Sequence, residues 1–386
     1  MKISFLMGIY PSYGGVEKVS TYLANELVKR GHEVSIVSFD QPHPEIAEKE
    51  LDHRVTLIAL QFPISKSKNL ETLKKYYRSH SLDILISQWA VPARVAWFCR
   101  KAISGTKARY ITVHHNDPTT NSKIKGLELK IENKDGLLFL NKLKLWGTRF
   151  FSRLNLRIGY DLSDAYVVLS DSFKSSAKRY MLLGKGSEIV AIPNPLTISP
   201  PPSVMEKKNN ILFIGRIENN QKRTLRLLDI WSHVCKKLPD WTLTIIGDGP
   251  DKTLLKDEIA SRQLERITLT GFTSPIPYLI ESKILLLVSE YEGFGLVITE
   301  AMSYRVVPIV LNSFTACRDT IFNHSVGYAV DPPFNSETFA QKIVDLANDN
   351  DKMCEISRNA QNAVKRFEIS NIVDQWEKLF AKLKGL

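Results

Sequence analysis

Two glutamates mark a glycine-rich turn in the second half of this chain, Glu292 within the turn and Glu300 eight residues later. A carboxylate accepts two hydrogen bonds well, which suits a pair of vicinal hydroxyls. Gly293 and Gly295 flank Phe294, and glycine adopts positive φ and lets a ligand approach the backbone closely. Either glutamate alone would more simply be a solvated surface residue, but the combination indicates a ligand-binding turn.

The residues around this turn predict a strand before it and a helix after it. Residues 284–288 form a short apolar run without period, which is typical of a strand buried on both faces. Residues 296–304 are predicted to be helical, so the free N–H groups of the helix start point back toward the strand end. Such a helix start binds anions, and ligands of open α/β sheets bind outside the carboxyl ends of the strands.

The turn and its helix resemble the E-x7-E signature of retaining glycosyltransferases of the GT-B fold, in the large group called family 4, through the stretch SEYEGFGLVITEAMS. The resemblance implies that Glu292 lies near the donor sugar and orients its hydroxyls. It implies equally that Glu300 binds the ribose of the nucleotide. Arg305 departs from the family pattern, which usually has glycine there. Either its backbone is unstrained, or its guanidinium makes a contact, such as a pair with a carboxylate.

Two cations, Arg216 and Lys222, follow the predicted strand 211–214. Each alone would be an ordinary surface residue, but together they can clamp a diphosphate, with the guanidinium as a fork and the ammonium as a point charge. They resemble the family's GR…K pair, which binds the phosphates of the donor. Donors aimed at the charge that builds on a leaving diphosphate supply most of such catalysis. The groups expected to do so are Arg216, Lys222, the N–H groups of Gly295 and Leu296, and the turn Gly14–Gly15.

A pair of histidines, His114 and His115, follows the predicted strand 110–113. Two adjacent side chains cannot easily chelate one ion, and no other ligand cluster accompanies them, so a metal site is not expected. A histidine at a strand end is usually structural. In the family, however, a histidine at this place contacts the donor sugar, and His115 matches it best, so both interpretations stay open.

The resemblance extends over nearly the whole chain and supplies the remaining site residues. Gly14 and Gly15 resemble the family's GGxE turn, which faces the diphosphate and the acceptor, although a plain tight turn is the alternative. The candidate catalytic residues are therefore His115, Arg216, Lys222 and Glu292. The candidate substrate-binding residues are Gly14, Gly15, Gly247, Gly271, Phe272, Gly293, Phe294, Gly295, Leu296 and Glu300.

Metal-dependent transferases of the GT-A class carry a DxD motif, and residues 349–351 match that string. Here the string lies between two predicted helices rather than at a strand end, so it predicts a helix cap. We therefore expect no metal and no cofactor beyond the nucleotide sugar itself.

The length of 386 residues suits two domains, and the apolar content of 44% and charged content of 24% are those of a soluble globular protein. The best boundary is the Pro- and Ser-rich stretch up to about residue 208. We predict two doubly wound, Rossmann-like α/β domains that face a cleft. The first spans 1–197 and the second 198–368, and the resemblance implies that the last helix, about 369–386, crosses back to the first domain.

The net charge of +11 makes an acidic partner plausible, but no nucleic-acid-binding motif is present, so nucleic acid is not expected.

No apolar run reaches the ~18 residues of a membrane span, and the run 3–9 is too short for a signal peptide and predicts a first strand. The four cysteines are scattered without CxxC spacing, which favours reduced thiols. We expect a cytoplasmic protein. Peripheral association with the inner face of the cell membrane is a further hypothesis.

A basic segment at 121–160 interrupts the α/β pattern, with nine Lys or Arg and three Asp or Glu. Five large apolar residues recur there at helical spacing, with basic residues along one edge. Such a helix can lie on an anionic membrane through residues 137–158, and a helix that faces the core is the alternative. The apolar stripe is Phe139, Leu143, Trp146, Phe150 and Leu154, and the basic edge is Lys142, Arg149 and Arg153.

Taken together, the resemblance implies a retaining glycosyltransferase that moves a sugar from a nucleotide-diphosphate donor. UDP is the expected nucleotide by family habit, and a glycan or polyprenyl-linked glycan of a surface polysaccharide is the expected acceptor. A nucleotide-sugar 2-epimerase of the same fold is one alternative, and it would need no acceptor. A non-catalytic protein of the membrane surface is the other, although it would have no need to keep Arg216, Lys222, Glu292 and Glu300 together.

Overall fold

The computed structural model describes residues 1–199 and 206–385. The chain divides into two compact units, one made of Met1–Thr197 with Phe367–Leu386 and the other of Ile198–Arg366. The predicted Pro- and Ser-rich boundary stretch lies partly outside the described residues. Among the described residues, no helix is both long and apolar enough to cross a bilayer.

Each unit contains one parallel sheet with helices between its strands. The elements of the first unit before the boundary are β1 (Lys2–Ile9), α1 (Gly15–Lys29), β2 (Glu33–Asp40), α2 (Pro44–Glu50), β3 (Thr56–Ala59), α3 (Ser67–Ser79), β4 (Ile84–Ser87), α4 (Ala93–Ala102), β5 (Arg109–His114), α5 (Ser122–Glu132), α6 (Leu138–Leu162), β6 (Ala165–Val168), α7 (Asp171–Tyr180) and β7 (Val190–Ala191). Those of the second unit are β8 (Asn210–Ile214), α8 (Leu225–Lys237), β9 (Thr242–Ile246), α9 (Lys252–Ser261), β10 (Ile267–Gly271), α10 (Ile276–Glu281), β11 (Ile284–Leu287), α11 (Leu296–Ser303), β12 (Val307–Leu311), α12 (Cys317–Thr320), β13 (Tyr328–Val330), α13 (Ser336–Asn348) and α14 (Asn350–Ala363). The chain ends with α15 (Ile369–Lys384).

The strand orders confirm the predicted doubly wound fold class. The first sheet has the order β3-β2-β1-β4-β5-β6-β7 and the second the order β10-β9-β8-β11-β12-β13. In each sheet the chain runs outward from a central strand, β1 or β8, and then restarts on its other side. Such a sheet is covered by helices on both faces, which explains why β11 and β12 are apolar and buried along their whole length.

The last helix belongs to the first unit, as the family resemblance implied. Arg30, at the end of α1, donates to Glu377 of α15 at 2.8 Å, and His32 Nε2 lies 2.7 Å from the same carboxylate. Near the end of α15, Lys384 Nζ lies 2.7 Å from Asp83 Oδ1, just before β4. These contacts hold a segment that follows the second unit in sequence against the first.

Arg305, the departure from the family pattern, follows α11 with a φ of 57°, in the left-handed region. Its Nε donates to Oε1 of Gln361 in α14 at 2.7 Å, and Gln361 Nε2 donates to the carbonyl of Ser303 at 2.9 Å. A non-glycine residue in this conformation costs roughly 1 kcal/mol, and a hydrogen bond contributes about as much. The guanidinium therefore offsets the strain, and its partner is an amide rather than the carboxylate considered from the sequence.

We expect Arg305→Gly to change the free energy of unfolding by less than about 1 kcal/mol, because relief of backbone strain offsets the lost hydrogen bond. Arg305→Ala loses the same bond but keeps the left-handed backbone, so it should be less stable than the glycine variant by about 1 kcal/mol. Denaturant unfolding of both variants measures the difference. Equal stability of the two would contradict this account of Arg305.

Candidate active site

The glycine turn between β11 and α11 has the predicted geometry. Gly295 is the N-cap of α11 with φ 74° and ψ 52°, in the left-handed region. A Cβ at this position would lie 2.9 Å from Cδ1 of Ile298, so a side chain would require both a strained backbone and a shift of Ile298. The residue type therefore follows from the turn, which starts α11 at the carboxyl end of a buried strand.

The two glutamates of this turn and helix are both buried, with 7% of each residue exposed. The interpretation of either one as a solvated surface residue is therefore wrong. Glu292 Oε1 accepts a hydrogen bond from Lys222 Nζ at 2.6 Å, and both side chains are mostly withdrawn from water. The structure thus brings together two residues that the sequence suggested separately, one for the sugar and one for the phosphates.

The two predicted phosphate-binding cations differ in their surroundings. The Arg216 side chain is exposed, and its Nη2 lies 3.2 Å from Glu218 Oε1. Lys222 runs across the end of β8, since a Cβ on Gly215 would lie 3.5 Å from Lys222 Cε. Lys222 is therefore held in place by Glu292, whereas Arg216 is accessible to an incoming anion.

Gly247, predicted to bind substrate, has a packing reason to be glycine. Its φ is 143°, and a Cβ there would lie 1.9 Å from the carbonyl oxygen of Gly215. Gly249 approaches Ile217 in the same way, with a Cβ position 2.2 Å from the Ile217 carbonyl oxygen. The turn after β9 thus packs directly on the turn after β8 that carries Arg216.

The remaining predicted residues of the second unit lie at the carboxyl end of β10. Gly271 ends this strand with a φ of 75°. The next residue, Phe272, leaves most of its side chain exposed. An exposed ring at the end of a parallel strand is suitable for stacking on a flat ligand.

Sequence reasoning missed a set of side chains that join the loop after β8 to the turn after β11. The backbone N–H of Glu290 donates to the carbonyl of Gln221 at 2.7 Å, and Gln221 Nε2 donates to the carbonyl of Tyr291 at 3.1 Å. Glu290 also accepts a hydrogen bond from Arg226 Nη2 at 3.0 Å. The basic run 222–226 was the only signal in the sequence that could have indicated these contacts.

In the first unit, the predicted GGxE turn starts α1 with Gly14 as its N-cap. A Cβ on Gly14 would lie 1.9 Å from Glu17 Oε2, so the glycine leaves room for that carboxylate beside the helix start. Burial raises the pKa of the Glu17 carboxyl above its usual value. Gly15, the first residue of the helix, is exposed.

His115 is held by a side chain that the sequence analysis did not single out. Its Nε2 lies 2.6 Å from Gln88 Oε1, which can only accept, so Nε2 carries the proton. Burial lowers the pKa of His115 to about 3 and that of its neighbour His114 to about 4. Both rings are therefore neutral at pH 7, and His115 Nδ1 is a hydrogen-bond acceptor.

The basic segment of the first unit forms α5 and the long helix α6. The five predicted apolar residues on α6 are all exposed, from 44% for Leu154 to 76% for Phe139. The alternative of a helix that turns this stripe to the core is therefore wrong. Arg149, on the basic edge, also pairs with Glu128 of α5 at 2.7 Å. We name as the α6 apolar face the exposed residues Leu137, Leu138, Phe139, Leu140, Leu143, Trp146, Phe150, Phe151 and Leu154.

The predicted helix cap at 349–351 is confirmed. Asp349 is the N-cap of α14, and its side chain accepts a hydrogen bond from the backbone N–H of Lys352. Over residues 1–199 and 206–385, no three His, Cys, Asp or Glu side chains are grouped as a metal site would require.

Comparison with known families gives two matches that together span most of the chain. Residues 197–363 match the model described as glycosyl transferases group 1, and residues 13–199 match the model described as glycosyltransferase family 4. The first match contains Arg216, Lys222, Glu292 and Glu300. The second contains Gly14, Gly15 and His115.

The relatives that match along nearly the whole chain include two named enzymes. An α-1,4-N-acetyl-D-galactosaminyltransferase of Campylobacter jejuni, named for an undecaprenol-diphosphate-linked glycan, is 28% identical over 100% of this chain and 99% of its own. The N-acetyl-α-D-glucosaminyl L-malate synthase of Bacillus anthracis is 22% identical over 98% of this chain and 97% of its own.

Solved structures confirm the GT-B fold. TarM of S. aureus, in a complex that contains UDP, is 16% identical and superposes with a TM-score of 0.76, covering 98% of this chain and 99% of its own. HepE of Anabaena, with UDP and glucose, is 17% identical with a TM-score of 0.73, over 99% of this chain and 100% of its own.

We expect Glu292→Gln to lower kcat for the reaction at this site by about a hundredfold, because losing a well-placed charged partner costs on the order of 3 kcal/mol. The fold should persist, since the glutamine oxygen still accepts from Lys222. Steady-state turnover and a melting curve measure the two effects.

Glu281→Gln is the matched control, because Glu281 is an exposed glutamate of the same unit, paired with Lys208 at 2.8 Å. Wild-type turnover of the Glu292 variant would remove Glu292 from the site.

Glu300→Gln should instead weaken binding of the free nucleoside diphosphate, by about tenfold or more.

Proposed function

Because the chain belongs to the group 1 (family 4) glycosyltransferases, we propose that it transfers a sugar with retention from a UDP-sugar to a glycan or lipid-linked glycan acceptor. The reaction is one of surface polysaccharide biosynthesis, and the enzyme is of the hexosyltransferase type. The single observation that carries the proposal is the Lys222–Glu292 pair at the carboxyl edge of the second sheet.

The pair supports a division of labour between its two side chains. Lys222 uses one of its three donors on Glu292 and can direct another to a phosphate oxygen of the donor. Arg216, exposed beside it, adds a fork for the same diphosphate, and the start of α11 adds backbone N–H groups. These groups face the charge that builds on the leaving diphosphate, which is where electrostatic stabilisation accelerates transfer.

Glu292 acts by orienting the transferred sugar rather than as a nucleophile. Its Oε1 is engaged by Lys222, and Oε2 is available to accept from a sugar hydroxyl. Glu300, buried in α11, binds the ribose of the nucleotide. In the first unit, neutral His115 accepts a hydrogen bond from a sugar hydroxyl through Nδ1.

The identity of the donor nucleotide and of the acceptor is supported by the relatives. UDP is named in the complexes of TarM and HepE, and the exposed ring of Phe272 suits a stacked base. The C. jejuni relative is named for a polyprenol-linked glycan, which favours an acceptor of this kind. Transfer proceeds without a metal ion, in keeping with the capping role of Asp349 in the DxD-like string.

The proposed function is tested by thermal shifts with a panel of UDP-, GDP-, ADP- and dTDP-sugars. We expect UDP-sugars to raise the melting temperature, since a ligand at a hundred times its Kd adds about 2.7 kcal/mol of stability. Transfer should then require a glycan or polyprenyl-diphosphate glycan acceptor and persist in EDTA.

Each part of the proposal fails on a different result. Stabilisation by another nucleotide alone would refute UDP, and loss of transfer in EDTA would refute metal independence. An epimerised sugar released without an acceptor would identify a 2-epimerase. No stabilisation by any nucleotide sugar would refute the transferase function altogether.

The α6 apolar face supports a second part of the proposal, that the enzyme docks on the anionic inner surface of the cell membrane. The face presents Trp146 with 67% of its area exposed, stacked on the exposed ring of Phe150 with centroids 5.8 Å apart. Basic residues of the same helix flank it, which matches the charge of anionic lipid headgroups. A membrane-linked acceptor would then be presented to a membrane-bound enzyme.

Replacing Lys142, Arg149 and Arg153 with Glu should abolish binding to anionic liposomes, because each basic group near such a surface is worth about 1 kcal/mol. Sedimentation with anionic and neutral liposomes measures the effect. A control with the same change of charge replaces Lys236, Lys237 and Lys256, which are exposed lysines of α8 and α9. Equal binding to both kinds of liposome, or unchanged binding of the α6 variant, would contradict membrane docking.

A further inference from the structure

Arg226, in the first turn of α8, is not among the predicted site residues and contacts the segment that follows β11. Its Nη1 donates to the carbonyl of Val288 at 3.0 Å, and its Nη2 donates to Glu290 Oε2 at 3.0 Å. The guanidinium also lies over the ring of Phe334, 4.8 Å from the centroid. With 21% of its side chain exposed, Arg226 is a partly desolvated cation whose orientation is determined from three sides.

The loop before α8 adds contacts to the same short segment. Gln221 exchanges hydrogen bonds with the backbone of Glu290 and Tyr291, and Arg223 Nε lies 3.4 Å from Glu290 Oε2. Arg223 has a φ of 53°, a left-handed conformation that costs a non-glycine residue free energy and persists only where its surroundings impose it. The loop after β8 and the segment 288–292 are therefore joined at several successive positions.

The Lys222–Glu292 contact is the last of these contacts along the segment 288–292. By itself it cannot determine how this segment is oriented relative to the loop after β8. A lysine ammonium sits on a flexible four-carbon stem and acts as a point charge, so one contact does not determine the direction of the backbone opposite it. The guanidinium of Arg226, by contrast, is planar and binds a carbonyl and a carboxylate of the same segment at once.

We propose that Arg226 and Glu290 are positioning residues. They hold the segment 288–292 in the place where the Glu292 carboxylate meets Lys222. The expected effect on turnover rests on the proposed transferase function. The expected effect on the position of the segment 288–292 does not. Loss of either side chain lets the segment 289–292 move relative to the loop after β8. A displacement of about 1 Å in a catalytic geometry can cost a hundredfold in rate.

The chain offers a matched control in Arg262. This arginine of the same unit binds two carboxylates, Asp229 at 2.7 Å and Glu258 at 2.8 Å, and its side chain is 35% exposed. Its contacts join α8 to α9 and include no residue of the glycine turn. Arg262→Met therefore removes the same chemical group, and two ion pairs where Arg226→Met removes one, without touching the segment 288–292.

The experiment compares Arg226→Met, Glu290→Gln and Arg262→Met by hydrogen exchange and by steady-state kinetics with a nucleotide sugar that stabilises the wild type. We expect the first two to raise amide exchange across 289–296 at least tenfold and to lower kcat tenfold to a hundredfold, with the donor KM changed less than threefold. Arg262→Met should leave both within twofold. Arg226→Lys should recover part of kcat, because an ammonium can reach the carbonyl or the carboxylate but not both.

Unchanged exchange across 289–296 in Arg226→Met, or equal kcat losses in the Arg226 and Arg262 variants, would overturn the proposal. If Arg226→Met does not fold, the nearly isosteric Glu290→Gln carries the same test. A wild type that transfers no sugar would refute the proposed function alone, since the exchange measurement still decides whether Arg226 and Glu290 hold the segment.

Discussion

The ion pair between Lys222 and Glu292 is the interaction on which the candidate site of the second unit depends. It joins residues 70 positions apart at 2.6 Å, with both side chains mostly withdrawn from water. A buried ammonium or carboxylate left without its partner costs several kcal/mol, so the two loops that carry them cannot separate freely. The loop inferred to bind the diphosphate and the loop inferred to bind the sugar are therefore held in one relative position.

Backbone packing provides the second constraint on this site. Gly247 and Gly249 bring the turn after β9 against Gly215 and Ile217 so closely that a Cβ at either glycine would overlap a carbonyl group. The turn after β8, which leads to the loop with Arg216 and Lys222, thus packs on the neighbouring turn without intervening side chains. Gly247, which the family resemblance gives as a substrate-binding residue, is therefore also required for packing, and the residue type alone does not distinguish the two roles.

The first unit depends on side-chain contacts of a different kind. Gln88 at the end of β4 determines which nitrogen of His115 carries the proton, because its carbonyl oxygen can only accept. The α6 apolar face is the opposite case, a large surface that no element of the described residues buries. Exposed aromatic area of this extent is typical of an interaction site, and the flanking positive charge favours an anionic partner.

The sequence by itself determined the elements and the turns of the site. A short apolar run without period predicted β11, the run 211–214 predicted β8, and Gly-Phe-Gly predicted the start of α11, because local sterics and burial leave few other conformations. The fold class followed from the alternation of these strands with helices. The match of local motifs to a known family then identified Glu292, Glu300, Arg216 and Lys222 as candidates.

Only the tertiary structure decided which of these side chains meet. The strand order places β8 beside β11, so Lys222 reaches Glu292 and Arg226 reaches Glu290 although neither pair is close in sequence. The same holds for Gln88 and His115 at the ends of adjacent strands β4 and β5. Nor could the helical period of residues 139–154 decide burial, since periodicity shows that one face is apolar but not whether another element covers it. Contacts between distant residues depend on how the sheets are ordered, and that order is a property of the folded chain.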